Sequence, residues 1–162
     1  MQAKSMALAQ AVITALAQRQ WTLATAESCT GGLLGDWLTN IAGSSVVYLG
    51  GIIAYANSAK QQLLHVPAST LATVGAVSAE TALAMAQGTA QALGATVGLS
   101  TTGIAGPGGG SAEKPVGLVY LGLALPNQAL VEQHIWPYDR LGNKQASAQR
   151  ALEWLLEQLN AA

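Results

Sequence analysis

Thr25-Ala-Glu-Ser-Cys-Thr-Gly-Gly32 decides how the chain folds, because the pattern of apolar residues changes period across it. Before it, Trp21 to Ala26 is rich in residues that suit a strand. After it, Leu33, Leu34, Trp37, Leu38 and Ile41 recur at helical spacing and stop near Gly43. The octapeptide is therefore predicted to be a strand-to-helix turn, with Ser28 at the exit of the strand. The free N–H groups of a helix start are donors for an oxyanion or phosphate, and glycines there let a ligand approach the backbone.

The flanking segments extend the same alternation. Leu8, Val12, Ala15 and Leu16 mark a helix ahead of the strand. Val46 to Ala56 is a dense apolar run, read as a buried strand, followed by a short helix capped by Asn57 or Ser58 and reaching Leu64. Pro67 to Thr73 reads as a short helical piece. Ser78 caps a long alanine-rich helix that ends at Leu93 before Gly94. Ala95 to Thr102 reads as a strand, Gly103 to Pro115 as a loop, and Val116 to Leu125 and Leu130 to Trp136 as strands joined at Pro126-Asn127. Ala148, Leu152, Leu155 and Leu159 close the chain as an amphipathic helix from Asn143 onward. The sum is an α/β fold, a three-layer α/β/α single domain over 1–162 with a mixed sheet.

Composition narrows the function. The 162 residues are 51% hydrophobic and 9% charged, against roughly 25% charged in an average soluble protein, so a homo-oligomer is expected. Seven basic residues, scattered and balanced by eight acidic ones, give no stripe for a nucleic-acid backbone. The charge-free stretches are interrupted by Gly, Ser, Thr and Asn, so no membrane span is expected. The N-terminus carries no secretory pattern and one cysteine forms no intramolecular disulfide, so a cytoplasmic location is expected. His65, His134 and Cys29 show no metal-ligand spacing, and neither metal nor cofactor is implied.

On the residues alone, the turn stays open between two readings. Ser28 or Thr30 is either a helix cap or part of a nucleophile turn in which Gly31 and Gly32 admit a substrate. Cys29 competes as nucleophile, since a thiol beside a helix start can have a lowered pKa, or is a small buried side chain. Glu27 either orients a base or substrate amide or serves as a helix-dipole partner. Lys60, at a helix start after the apolar run, is either a surface lysine or a desolvated base for a serine. Tyr55 is a proton relay or a strand aromatic. Ser111-Ala-Glu-Lys114 spells a Ser-X-X-Lys string, but glycines before it and Pro115 after it make the required helical turn improbable. The glycine-rich run Thr102 to Gly110 lacks dinucleotide and P-loop spacing yet follows a strand, as a ligand loop should.

Taken as an ordered set, Thr25–Gly32, Ala54-Tyr-Ala-Asn-Ser-Ala-Lys60 with Leu63-Leu-His-Val-Pro67, Gly75-Ala-Val-Ser78, and Thr102-Gly-Ile-Ala-Gly-Pro-Gly-Gly-Gly110 with Glu113-Lys-Pro-Val-Gly117 resemble the CinA C-terminal domain family. The resemblance covers nearly the whole chain. It implies a nicotinamide-nucleotide amidase, which converts nicotinamide mononucleotide to nicotinate mononucleotide and ammonia, in a stand-alone form. It implies Ser28 as nucleophile and Lys60 as base, with Tyr55 and Thr102 completing the network and N–H groups around Cys29 and Thr30 holding the oxyanion. Glu27, Gly31, Gly32, Gly103, Gly106, Gly108 and Arg140 are the implied substrate contacts. The family's Gly-Asp-Arg, closely followed by another arginine, is Tyr138-Asp139-Arg140 with Lys144 here. Lysine is a point charge and does not replace a bidentate guanidinium. A second reading keeps the fold as a nucleotide-binding or interaction module without turnover.

Overall fold

In a computed structural model, residues 2–161 are described. The order of elements is α1 (Gln2–Gln18), β1 (Leu23–Glu27), α2 (Leu33–Thr39), a 3-10 turn (Ser44–Val46), β2 (Tyr48–Ile53), α3 (Asn57–Leu64), α4 (Ala68–Thr73), α5 (Ala79–Leu93), β3 (Val97–Gly103), β4 (Leu118–Leu125), β5 (Gln128–Ile135) and α6 (Arg140–Ala161). One five-stranded sheet runs in the order β2-β1-β3-β4-β5. β1 is parallel to both β2 and β3, whereas β3, β4 and β5 are antiparallel. The fold is α/β with a mixed sheet, as the sequence predicts.

Helices cover both faces. α1, α2 and α6 share a core with the sheet that includes Val12, Leu16, Leu34, Leu38, Leu152 and Leu155. α5 lies on the other face, where Met85 joins Ala26, Ala54, Leu64 and Val66. It sits unusually close to the sheet because Gly98 and Gly122 face it: a Cβ on either would run into the carbonyls of Ala86 and Ala82 respectively. Ser78 starts this helix as expected, its Oγ accepting from Thr81 N–H at 3.2 Å, and left-handed Gly94 ends it.

This connectivity places a site. From β1 the chain passes through α2 to β2 on one side, then returns through α3, α4 and α5 to β3 on the other. β1 and β3 are thus neighbours whose following segments diverge, which is the switch point where open α/β sheets bind ligands beyond the strand ends. Ser28 follows β1, Ala54 and Tyr55 follow β2, and Thr102 and Gly103 end β3.

Two expectations are corrected. The apolar run Val46 to Ala56 is not a buried strand: β2 spans Tyr48–Ile53 at the sheet edge, with Leu49 and Ile53 exposed. Its residues are apolar enough for a core, but an edge strand has a neighbour on one side only, and a register shift at Leu49 interrupts the pairing. The second correction concerns α3, whose N-cap position is Ala56, so neither Asn57 nor Ser58 caps it; α2 begins at Leu33, where the helical spacing starts. Gly31 and Gly32 adopt φ of 63° and 101°, a left-handed turn just ahead of α2.

Candidate active site

Glu27 organises the turn from below. Its carboxylate is 2% exposed and accepts from Thr30 Oγ1 at 2.6 Å, Gly32 N–H at 3.0 Å, Leu34 N–H at 3.1 Å and Gly35 N–H at 3.0 Å. A negative group on the first N–H groups of a helix satisfies both their hydrogen bonding and the helix dipole. The donors read from the sequence as free for a ligand at the α2 start are therefore occupied by the chain's own carboxylate. Thr30 Oγ1 also lies 2.7 Å from Thr101 Oγ1, closing a buried polar cluster beneath the turn.

Ser28 and Lys60 meet on the other side. Ser28 is held by its N–H donating to the Thr101 carbonyl at 3.0 Å. Lys60 comes from α3 and is 1% exposed, so it is not a surface lysine. Its Nζ donates to Ser28 Oγ at 3.1 Å, to the Ala54 carbonyl at 2.9 Å and to the Tyr55 carbonyl at 3.0 Å. Among the described residues no carboxylate forms an ion pair with it. Burial accordingly lowers its pKa from the ordinary value of 10.5, with the nearby Cys29 opposing.

The three acceptors define what the neutral amine does. Carbonyl oxygens only accept, so Ala54 and Tyr55 retain the two N–H bonds of an uncharged amine, and its single lone pair is left facing Ser28 Oγ. The arrangement is suited to taking a proton from the serine. Cys29 is placed differently: burial pushes its thiol up to about 12, and the thiol bonds with Thr101 rather than with a base. A thiol that stays protonated is a poor nucleophile.

A cavity of about 200 Å³ opens over this pair, lined by Ser28, Cys29, Lys60, Thr102, Gly103 and Arg140 among others. Arg140, the first residue of α6, donates to the Gly106 carbonyl at 2.6 Å and to the Tyr55 hydroxyl at 3.2 Å. Tyr55 is 65% exposed and lines the cavity, yet its hydroxyl bonds to neither Ser28 nor Lys60; its backbone carbonyl is what holds the lysine. Thr102 Oγ1 likewise turns away, donating to the Ala76 carbonyl at 2.7 Å. The hydroxyl network expected of these two residues is replaced by backbone acceptors.

The structure does not bring all the expected contacts together. Glu27, Thr30, Gly31, Gly32, Gly106 and Gly108 do not line the cavity. Gly31 faces Lys144 instead, whose Nζ lies 3.5 Å from where a Cβ would stand. Asn57, Ala76 and Val77 do line it, although the sequence reading gave them no site role. Asn143, one turn into α6, fastens the glycine loop by donating to the Ala105 carbonyl at 3.0 Å, and Lys114 does so by donating to the Val74 carbonyl at 2.6 Å. The Ser111-X-X-Lys114 segment is not helical, as expected, and its serine accepts from Lys114 N–H. Among the described residues, no group of three His, Cys, Asp or Glu is arranged around a common metal position, and no helix is long and apolar enough to cross a membrane.

A parallel-then-antiparallel sheet with a serine and a buried lysine at its switch point defines a class of α/β protein with a Ser-Lys pair. The chain belongs to the CinA C-terminal domain family, whose sequence model matches residues 5–159. A putative competence-damage inducible protein of Moorella thermoacetica is 53% identical over 146 residues, covering 90% of this chain and 35% of that protein. A CinA-like protein of a Synechococcus strain is 51% identical over 154 residues, 94% of this chain and 37% of that protein. The chain thus spans about a third of the length of these relatives. Among solved structures, the competence/damage inducible protein CihA from Agrobacterium tumefaciens superposes with a TM-score of 0.92 at 45% identity, covering 97% of this chain and 96% of that one. A CinA superfamily protein from Klebsiella pneumoniae gives 0.94 at 32% identity, over 98% and 99%.

Proposed function

We propose that the chain is an amidohydrolase that converts nicotinamide mononucleotide to nicotinate mononucleotide and ammonia. The observation that carries this reading is the buried Lys60 amine 3.1 Å from Ser28 Oγ, with no carboxylate among the described residues paired to it. In the reaction, Lys60 takes the Ser28 proton as Oγ attacks the carboxamide carbon. The tetrahedral adduct collapses, the C–N bond breaks, and the proton on Lys60 leaves with ammonia. Water then attacks the Ser28 ester, giving one proton to Lys60, which returns it to Ser28 as the carboxylic acid departs; the acid ionises by passing its remaining proton to the released ammonia or to solvent.

The oxyanion donor in this scheme is the Cys29 amide, with Thr30 N–H beside it. Neither donates to a backbone carbonyl among the described residues, whereas the α2 amides do donate, to Glu27. Arg140 is the anion-binding group: a guanidinium has five N–H donors, and its two protein bonds leave others for a phosphate. Ammonia release is to be measured for nicotinamide mononucleotide, its nucleoside and free nicotinamide. The expected order places the phosphorylated substrate first; saturable binding with no ammonia from any of the three favours a silent nucleotide-binding module instead.

A further inference from the structure

Arg140 and Ala105 belong to two cavities at once. Besides the Ser28 chamber, they border a second cavity of about 420 Å³ whose other walls are Pro107, Val116, Tyr138, Asp139 and Leu141. Its lining is apolar apart from Asp139 and Arg140. Tyr138 is 57% exposed and Leu141 65% exposed, two large apolar side chains held in water at the mouth of a concavity. Asp139 is tied to the start of α6, its Oδ1 accepting from Gly142 N–H at 2.8 Å and its backbone carbonyl from Asn143 N–H at 2.8 Å. Gly142 is what permits Tyr138 its position: a Cβ there would stand 2.6 Å from the tyrosine Cβ.

Size separates the two compartments. At about 200 Å³ the Ser28 chamber is smaller than the roughly 300–1,000 Å³ of ordinary ligand sites, while the pair together falls inside that range. The chemistry changes in order across the shared wall: serine and lysine on one side, a guanidinium with unused donors at the border, a tyrosine and aliphatic walls on the other.

We infer that the second cavity is a subsite for the part of a ligand lying beyond Arg140, namely an apolar or aromatic group joined through an anionic linker to the carboxamide at Ser28. Within the amidase reading, on which this rests, a dinucleotide bearing a nicotinamide is the simplest such ligand. Its carboxamide ring enters the Ser28 chamber, its pyrophosphate meets Arg140, and its second base stacks against Tyr138 between Val116 and Leu141.

The test measures equilibrium binding of nicotinamide adenine dinucleotide and nicotinamide mononucleotide to the Ser28→Ala protein by titration calorimetry, so that no turnover is required. The dinucleotide is expected to bind about fivefold or more tightly than the mononucleotide. Tyr138→Gly and, separately, Leu141→Asp are each expected to erase most of that advantage, with melting curves showing that both variants fold. Equal binding, absence of binding, or an advantage that survives both variants overturns the subsite. Ammonia release from the mononucleotide by the intact protein without any dinucleotide advantage sinks the subsite and leaves the amidase reading standing. A dinucleotide advantage with no ammonia from either compound does the reverse.

Discussion

A lysine withdrawn from water without a carboxylate partner is costly in its charged form, and among the described residues Lys60 has none. Its lowered pKa gives a pH signature with a fixed sign. In the proposed reaction acylation needs the neutral amine, so kcat/KM is expected to rise with pH through an inflection below 10.5, and Lys60→Met is expected to abolish the rise along with most of the activity. Stability responds in the same direction. Between the folded pKa of Lys60 and 10.5 the unfolded chain binds the extra proton, so wild-type stability relative to Lys60→Met rises with pH across that window and is level below it. Urea unfolding of both proteins across alkaline pH checks this, the difference removing the opposing contributions of Tyr48 and Cys29, whose pKa values are raised chiefly by burial. Glu27 offers a second prediction at this scale. Its carboxylate serves four donors, and hydrogen bonds to charged groups are worth about 1.5–3 kcal/mol each, so Glu27→Ala should lower unfolding free energy by at least ~3 kcal/mol. A loss under about 1 kcal/mol would show that the cap is dispensable.

The elements differ in how far local sequence determines them. α5 was legible because its signals are local: Ser78 caps it, Glu80 lies in its first turn and Gly94 ends it. Ser78→Ala is accordingly expected to cost about 1 kcal/mol in denaturant unfolding. What satisfies the start of α2 was not legible, because the Glu27 carboxylate lies five to eight residues before the amides it accepts from and reaches them only after two left-handed glycines. That is also why Glu27 read equally well as a substrate contact. β2 misled for another reason: apolar residues record that a surface avoids water, not whether a neighbouring strand of the same chain covers it. Tyr55 and Thr102 sit at the right strand ends, but the direction of a hydroxyl depends on acceptors such as the Ala76 carbonyl, contributed by distant sequence. Close packing of α5 makes a further prediction. Gly122→Val forces a side chain into the Ala82 carbonyl, so it should unfold the protein or cost more than ~3 kcal/mol, whereas the same change at Gly94, where a Cβ has open space, costs only its left-handed strain.

At the scale of the molecule, the switch point between β1 and β3 gathers residues separated by more than a hundred positions, from Ser28 to Arg140, over one cavity. Composition predicted association rather than showing where it occurs. With 9% charged residues, and with Leu49 and Ile53 exposed along an uncharged sheet edge beside exposed Val46 of the preceding 3-10 turn, the chain is expected to be a homo-oligomer. Light scattering should give a multiple of the 16.5 kDa chain mass, reduced by Leu49→Lys. The separation of chemistry from anion binding is tested at Arg140: Arg140→Ala is expected to raise KM for nicotinamide mononucleotide about tenfold or more with a smaller fall in kcat, and an unchanged KM removes the guanidinium from phosphate binding. The proposed amidase reaction turns on which atom attacks the carboxamide, Ser28 Oγ or Cys29 Sγ, both of them residues that line the cavity and adjacent in sequence. The deciding measurement is the rate of ammonia release from nicotinamide mononucleotide by wild type, Ser28→Ala and Cys29→Ala. The expected result is a loss of about a thousandfold or more for Ser28→Ala with Cys29→Ala within about tenfold of wild type; full activity in Ser28→Ala, with loss only in Cys29→Ala, contradicts it.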